Sequence, residues 1–157
     1  LVLRGLQTMP LRLEREGTSA LTLAHWLAAR PEVARVLHPA LPGDPGHILW
    51  QRDFQGASGL FSVELAPQYQ DCTSVSVDAL RVFRIGASWG STHSIVTPQS
   101  AFRLTAAPGS TPGKFIRFSI GLEPVEDLQA DIEAALMGLS ADTMPGAQER
   151  AVDQREL

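Results

Sequence analysis

The stretch that decides the fold covers residues 115–132 and reads FIRFSIGLEPVEDLQADI. Side chains along its first six residues alternate between two faces, one with Phe115, Arg117 and Ser119 and the other with Ile116, Phe118 and Ile120. The GLEP segment ends this strand, and Pro124 suits the first turn of a helix, where its missing N–H costs nothing. Apolar residues then recur at helical spacing as far as Leu139. The stretch therefore predicts a strand followed by a helix that covers the face of Ile116.

Arg117 is the unusual residue of this strand, because it places a permanent cation in the middle of it. A charge at such a position must be paired or must face a binding site. One reading is a structural salt bridge to an acid on a neighbouring strand, such as Glu64. The other is bidentate capture of a carboxylate by the guanidinium group. Residue types and spacing leave both readings open.

The rest of the chain predicts further helices and strands around this unit. Helical patterns cover residues 1–30, 47–54 and 74–82, and strand patterns cover 33–37, 59–65 and 94–96. Residues 84–90 read as a short extended piece that enters a glycine-flanked loop. We expect Gly5 and Pro10 to break or kink the first helix, and Pro98 to stop the last of these strands. Residues 105–113 read as a loop. Together these patterns predict a two-layer α/β (α+β) sandwich. Its small, largely antiparallel sheet has helices on one face and follows a long N-terminal helix.

Composition limits the classes of protein to which the chain can belong. Its 157 residues suffice for one domain, with 44% apolar residues, 19% charged residues and a net charge of −4. No basic patch suggests nucleic acid, and no apolar run suggests a membrane span. A single cysteine, Cys72, is typical of a reducing compartment, so we expect a cytoplasmic protein. The chain begins with Leu1 rather than Met, and we expect residues 1–139 to be a domain of a larger protein and 140–157 to be a mobile polar tail.

Several motifs are excluded as carriers of function. The pentapeptide GASWG at 86–90 matches the G-x-S-x-G nucleophile elbow, but no histidine follows a later acid, as that chemistry requires. The four histidines lack metal-ligand spacing, so we expect surface or partly buried side chains and no metal: His25, His38, His47 and His93. The phosphate-binding glycine-rich motifs are also missing from the sequence.

The motifs together resemble the C-terminal domain of the pyridoxal-phosphate-dependent enzymes of cysteine and methionine metabolism. The resemblance rests on ASWG at 87–90, FIRFSIGLE at 115–123 and VEDL at 125–128. Four upstream segments agree with the family pattern: LRGLQT at 3–8, VARVLHPAL at 33–41, WQRDF at 50–54 and GASGLFS at 56–62. The resemblance covers residues 1–139 and leaves out the tail.

This resemblance implies roles for three residues. Arg117 matches the family's arginine that binds the substrate α-carboxylate, and Ser88 and Trp89 match the loop that helps to hold the same group. Ser-Trp-Gly at this place resembles the β-lyase branch, whereas γ-synthases and γ-lyases resemble Ser-Leu-Gly. The chain departs from the family pattern at Ser91, where a glycine is common, and at His93, where a glutamate is common.

The implied activity is that of a carbon–sulfur β-lyase, which cleaves L-cystathionine to homocysteine, pyruvate and ammonia. The implied cofactor is pyridoxal phosphate, held by a lysine of a larger upstream domain. Lys114 does not match that lysine, so we expect no catalytic or cofactor-binding residue in this chain and no activity from it alone. The resemblance also implies an amino-acid substrate, contacts with the upstream domain and a homotetramer. Two alternatives remain: a γ-lyase or γ-synthase of the same family, or a stand-alone interaction module in which Arg117 is only a structural charge.

Overall fold

The computed structural model describes residues 2–101 and 113–139. Helix α1 (Val2–Ala28) leads into strand β1 (Val33–Leu37), helix α2 (His47–Asp53) and strand β2 (Leu60–Leu65). A 3-10 helix (Pro67–Cys72) and helix α3 (Thr73–Asp78) precede two strands, β3 (Arg84–Ile85) and β4 (Ile95–Ala101). Strand β5 (Gly113–Ser119) and helix α4 (Val125–Met137) complete the described chain.

The five strands form one sheet in the order β1-β2-β5-β4-β3. Every neighbouring pair is antiparallel except β3 and β4, which are parallel. The stretch that decides the fold therefore supplies the central strand, β5, and the helix that follows it. The largely antiparallel two-layer sandwich predicted from the sequence is confirmed.

Helices α1, α3 and α4 pack on one face of the sheet. Phe118 lies at the centre of this interface, with ring centroids 5.2 Å from Phe61 of β2 and 5.3 Å from Phe83. From α4, Leu128 and Ile132 are buried against the same cluster. Burial of each such side chain contributes about 1.5–3 kcal/mol, so this layer fixes β5 and α4 firmly in the fold.

The structure contradicts two expectations based on proline, a break in α1 at Pro10 and the end of a strand at Pro98. Helix α1 continues through Pro10 without a break, in a half of the helix whose side chains are exposed. A backbone carbonyl that proline leaves without a partner can be hydrated there, which lowers the cost. Strand β4 likewise continues through Pro98. Among the described strands, β4 pairs beyond Val96 with β5 alone, so Pro98 lies on an edge, where a missing N–H is tolerated.

Other expectations fall outside the described residues or need adjustment. The predicted loop at 105–113 lies outside the described residues except for Gly113, which begins β5. The predicted tail at 140–157 also lies outside them. Helix α3 ends earlier than predicted, at Asp78. His38 is buried rather than at the surface or partly buried, and its Nδ1 accepts a hydrogen bond from the Ala40 N–H at 3.1 Å. Burial lowers the pKa of His38, which favours the neutral ring.

Candidate functional site

Arg117 lies on the face of the sheet opposite the helices. Its neighbours across the two flanking strands are Ser62 of β2 and Thr97 of β4. Ile116 and Phe118, on either side of Arg117 in sequence, are buried in the core. Because side chains alternate along a strand, Arg117 points away from the helical layer, as the sequence predicted.

One nitrogen of the Arg117 guanidinium is committed to the loop that precedes β4. Nη2 donates hydrogen bonds to the carbonyl oxygens of Ala87 at 2.8 Å and Ser88 at 3.2 Å. It also contacts Oγ1 of Thr97 at 3.4 Å. Nε is buried and lacks a hydrogen-bond partner within the described part of the chain. The loop therefore orients the guanidinium while leaving donors for another acceptor.

The salt bridge to Glu64 that the sequence left open is not formed. Glu64 binds Arg35 of β1 instead, with 3.0 Å between its Oε2 and the arginine Nη2. Strand register explains this pairing, because Arg35 lies opposite Glu64 in the β1–β2 ladder. Within residues 2–101 and 113–139, no carboxylate lies within 4.0 Å of the Arg117 guanidinium nitrogens. Arg117 is thus a half-buried cation without a counter-ion in the described structure.

The loop at 86–90 lies over Arg117 and contains the other two predicted residues, Ser88 and Trp89. The centre of the Trp89 ring is 5.6 Å from the guanidinium carbon of Arg117, a cation–π distance. Gly90 adopts a left-handed conformation with a φ of 70°, and its N–H donates to Ser119 Oγ at 3.3 Å. The structure therefore brings Arg117, Ser88 and Trp89 together, although they come from segments about 30 residues apart.

A shallow hollow opens in front of the guanidinium group. The indole of Trp89 is 62% exposed, which is unusual for so large a side chain. Apolar and polar residues of three strands and the loop surround the hollow: Leu37, Leu60, Phe61, Ser62, Trp89 and Arg117. A cation with apolar neighbours can bind a small molecule that carries a carboxylate next to a less polar group.

Two carboxylates near the loop escaped the sequence-based reading. Glu123 accepts hydrogen bonds from the N–H and hydroxyl of Ser94, and Asp131 accepts from backbone N–H groups at 81–83. Burial alone raises the pKa of Glu123, but hydrogen bonds from Ser94 and His93 outweigh burial and hold that pKa below its ordinary value. These contacts join residues 29 to 50 positions apart, so no local pattern marks them.

The structure places the lysine of this chain on the surface, away from Arg117. This single lysine, Lys114, lies at an exposed position, where Nζ contacts Asp71 Oδ1 at 2.6 Å. No group of three or more histidine, cysteine or acidic side chains that could hold a metal occurs in residues 2–101 and 113–139. None of the helices there has both the length and the apolar character to cross a membrane.

The G-x-S-x-G pentapeptide does not form a nucleophile elbow. That elbow is a sharp turn from a strand into a helix. Here residues 86–90 lie between β3 and β4, and Ser88 contacts Arg117 through its carbonyl oxygen. The rejection of a serine hydrolase on sequence grounds agrees with this geometry.

Comparison with known proteins gives a match to one family model over residues 1–137, described as the Cys/Met metabolism PLP-dependent enzymes. A Rhizobium johnstonii protein, whose name assigns it provisionally to cystathionine beta-lyase, is 49% identical over 89% of this chain and 36% of its own length. The cystathionine beta-lyase of Salmonella typhimurium is 43% identical over 83% of this chain and 34% of its own. The chain thus spans about a third of the length of these relatives.

Other relatives and solved structures have different names. An L-alanine/L-glutamate racemase of Wolbachia pipientis is 41% identical over 87% of this chain and 34% of its own length. The crystal structure of metB from Corynebacterium glutamicum is 32% identical with a TM-score of 0.75, covering 87% of this chain and 36% of that one. The O-acetylhomoserine sulfhydrylase of Wolinella succinogenes is 34% identical with a TM-score of 0.68, covering 83% and 35%. Fold and sequence are therefore shared across several activities.

Proposed function

Because the chain belongs to the family of Cys/Met metabolism PLP-dependent enzymes, we propose that its full-length protein is a carbon–sulfur β-lyase. The proposed reaction cleaves L-cystathionine to homocysteine, pyruvate and ammonia. In this proposal the described residues form the clamp for the substrate's α-carboxylate, with Arg117 as its cation and the loop at Ser88 and Trp89 as its support.

The observation that supports this assignment most strongly is the state of Arg117. Its guanidinium is oriented by two loop carbonyls, yet no carboxylate of the described chain neutralises it. A half-buried cation is costly without an opposite charge, and a substrate carboxylate supplies one. The cation–π contact with the Trp89 ring further restrains the guanidinium. The hollow thus binds and orients one end of an amino acid.

The cofactor belongs to the part of the full-length protein that lies outside this chain. When bound, pyridoxal phosphate acts as an electron sink for chemistry at the substrate Cα. The described residues supply no lysine for it, since Lys114 is paired with Asp71 on the surface. We propose that this chain orients the substrate relative to the cofactor and that alone it is inactive.

The N-terminal half of α1 supports a contact with that upstream part. Six apolar side chains there are exposed: Val2, Leu3, Leu6, Met9, Leu11 and Leu13. Exposed apolar patches of this kind mark interaction surfaces. We propose that the upstream domain covers them, and that the full-length protein is a cytoplasmic homotetramer, as the family resemblance implies.

A second candidate activity within the family is that of a γ-synthase or γ-lyase. It is favoured by the names of some relatives, including a cystathionine gamma-synthase of Mycobacterium bovis that is 34% identical over 87% of this chain. Trp89 favours the β-lyase, because Ser-Trp-Gly resembles that branch. Ser91 and His93, where the chain departs from the family pattern, lie four residues or fewer from Trp89. These departures are compatible with a different sulfur substrate.

The product of the full-length holoenzyme separates these candidates. The purified protein, loaded with pyridoxal phosphate, is given L-cystathionine and the keto acid released is identified by chromatography. Pyruvate supports the β-lyase, and 2-oxobutyrate would assign the protein to the γ-lyases. Absence of both, with cystathionine formed from an activated homoserine and cysteine, would assign it to the γ-synthases. A stand-alone interaction module predicts no bound cofactor at all.

A further inference from the structure

Asp131 of α4 holds the start of the segment that carries Ser88 and Trp89. Its Oδ1 accepts a hydrogen bond from the Arg81 N–H at 2.9 Å, and its Oδ2 accepts from the Val82 N–H at 2.8 Å. The Phe83 N–H points at the same Oδ2 from 3.4 Å. Three consecutive backbone donors thus converge on one carboxylate directly before β3. Hydrogen bonds to a charged acceptor are stronger than neutral ones.

Glu123 holds the other end of the same segment. Its carboxylate accepts from the Ser94 N–H at 3.0 Å and from the Ser94 hydroxyl at 2.8 Å. The hydroxyl oxygen in turn accepts from the Gly121 N–H at 2.8 Å, and Ser94 is fully buried. A further backbone bond runs from the Leu122 N–H to the Thr92 carbonyl at 3.0 Å. These hydrogen bonds attach the end of the loop to the turn between β5 and α4.

Both carboxylates follow Arg117 in one continuous strand–turn–helix segment. β5 carries Arg117, the following turn carries Glu123 and α4 carries Asp131. The two ends of the segment also meet each other, since the Arg84 N–H donates to the Ser94 carbonyl at 3.0 Å. Between these tied ends, residues 86–90 are exposed apart from the half-buried Gly86. The cation and the loop over it are thus fixed to one rigid unit.

We propose that Asp131 and Glu123 are positioning residues for substrate binding, because together they hold the loop of Ser88 and Trp89 over Arg117. Neither touches the hollow itself, so both act through the loop backbone. This inference rests on the proposed function and deepens it, since it names residues that determine substrate affinity through the carboxylate clamp. Loss of either carboxylate lets the loop carbonyls leave Nη2, and the guanidinium loses its fixed orientation.

The test uses the full-length holoenzyme with Asp131→Ala and Glu123→Gln, with Asp131→Asn as a milder change. The matched control is Glu133→Gln, because Glu133 is also an α4 carboxylate but binds Arg30, 3.2 Å away, rather than the loop. KM and kcat for L-cystathionine are measured, together with hydrogen–deuterium exchange of the backbone amides at 84–92. A purely structural role would not move KM separately from kcat.

We expect Asp131→Ala to raise KM by about fivefold to tenfold while kcat changes by less than about twofold, since the affected contacts bind substrate rather than assist chemistry. Glu123→Gln has the same effect, Asp131→Asn a smaller one and Glu133→Gln none. Amides at 84–92 exchange faster in both loop variants and not in the control.

The proposal is overturned if the loop variants keep the wild-type KM while Arg117→Ala raises it, or if exchange at 84–92 is unchanged. A different result would contradict the proposed function itself: Arg117→Ala leaves KM unaltered, or the full-length wild-type holoenzyme releases no keto acid. Even then the exchange measurement decides whether the two carboxylates hold the loop, because it needs no turnover.

Discussion

The guanidinium carbon of Arg117 lies 5.6 Å from the centre of the Trp89 ring, on the face of the sheet opposite α1, α3 and α4. The two residues are 28 positions apart, and the antiparallel pairing of β4 with β5 returns the chain so that they meet. An exposed aromatic ring beside a cation that has no counter-ion in residues 2–101 and 113–139 is more readily explained by a ligand than by stability. A cation–π contact at such a site contributes only about 0.5–1 kcal/mol.

We propose that Trp89 contributes to substrate binding without being indispensable. In the full-length holoenzyme, we expect Trp89→Leu to raise KM for L-cystathionine by about twofold to fivefold, the equivalent of one exposed cation–π contact. Trp89→Phe keeps an aromatic ring, so we expect it to raise KM less than Trp89→Leu does. Steady-state kinetics of the two variants measure this, and equal losses in both would argue against a role for the ring.

Gly121 allows the close approach of the loop to the turn after β5. A Cβ at this position would lie 2.6 Å from the Thr92 carbonyl oxygen and 2.7 Å from the His93 carbonyl carbon. We expect Gly121→Ala to destabilise the protein by about 1–3 kcal/mol, because the backbone must shift to admit the methyl group. Urea denaturation of the full-length protein measures the change. Gly43→Ala is the control, since nothing lies within 4 Å of its Cβ position, and an equal loss there would refute the steric account.

Glu123 gives the fold a pH dependence of known sign. Its folded pKa lies below the ordinary 4.5, so the stabilisation is present above that value and is lost as pH falls through the folded pKa. At pH 7 we expect Glu123→Gln to unfold more easily than the wild type, by about 1–3 kcal/mol for hydrogen bonds to a charged acceptor. The difference should shrink below about pH 4.5. Denaturation curves of both proteins at several pH values measure it, and a gap that is constant with pH would contradict the assignment.

The central strand and the last helix could be predicted from the sequence because their own side chains carry the pattern. Alternation from Phe115 to Ile120 and helical spacing after Pro124 both reflect burial against the same core. The orientation of Arg117 followed from the same alternation. Its closeness to Ser88 and Trp89 followed only from the family resemblance, because no local pattern reports a contact across 28 residues.

In the sheet and around the site, local rules missed what neighbours distant in sequence decide. Pro98 was expected to end a strand, but the ladder with β5 continues past it along a sheet edge. Glu64 was one candidate partner for Arg117, but strand register gives it to Arg35. The role of Asp131 escaped the sequence analysis, because its carboxylate binds backbone groups 48 to 50 positions away.

The central claim is that Arg117 binds the α-carboxylate of the substrate. Arg117→Ala in the full-length holoenzyme should lower kcat/KM for L-cystathionine by about thirtyfold to a thousandfold. This factor corresponds to about 2–4 kcal/mol, the typical loss when one partner of a charge pair is truncated. The matched control is Arg35→Ala, which removes an arginine of the same face that already has a partner in Glu64. We expect that control to stay near the wild-type value.

The most direct measurement compares two substrates in two proteins. Wild type and Arg117→Ala are each assayed with L-cystathionine and with an analogue in which the α-carboxylate beside the reacting Cα is replaced by a carboxamide. For each protein, kcat/KM for L-cystathionine is divided by kcat/KM for the carboxamide. If the guanidinium binds the carboxylate, the wild type discriminates strongly against the carboxamide, and the variant loses about 2 kcal/mol or more of that discrimination. If Arg117→Ala slows both substrates by the same factor, Arg117 does not contact the carboxylate, and the account of this site is wrong.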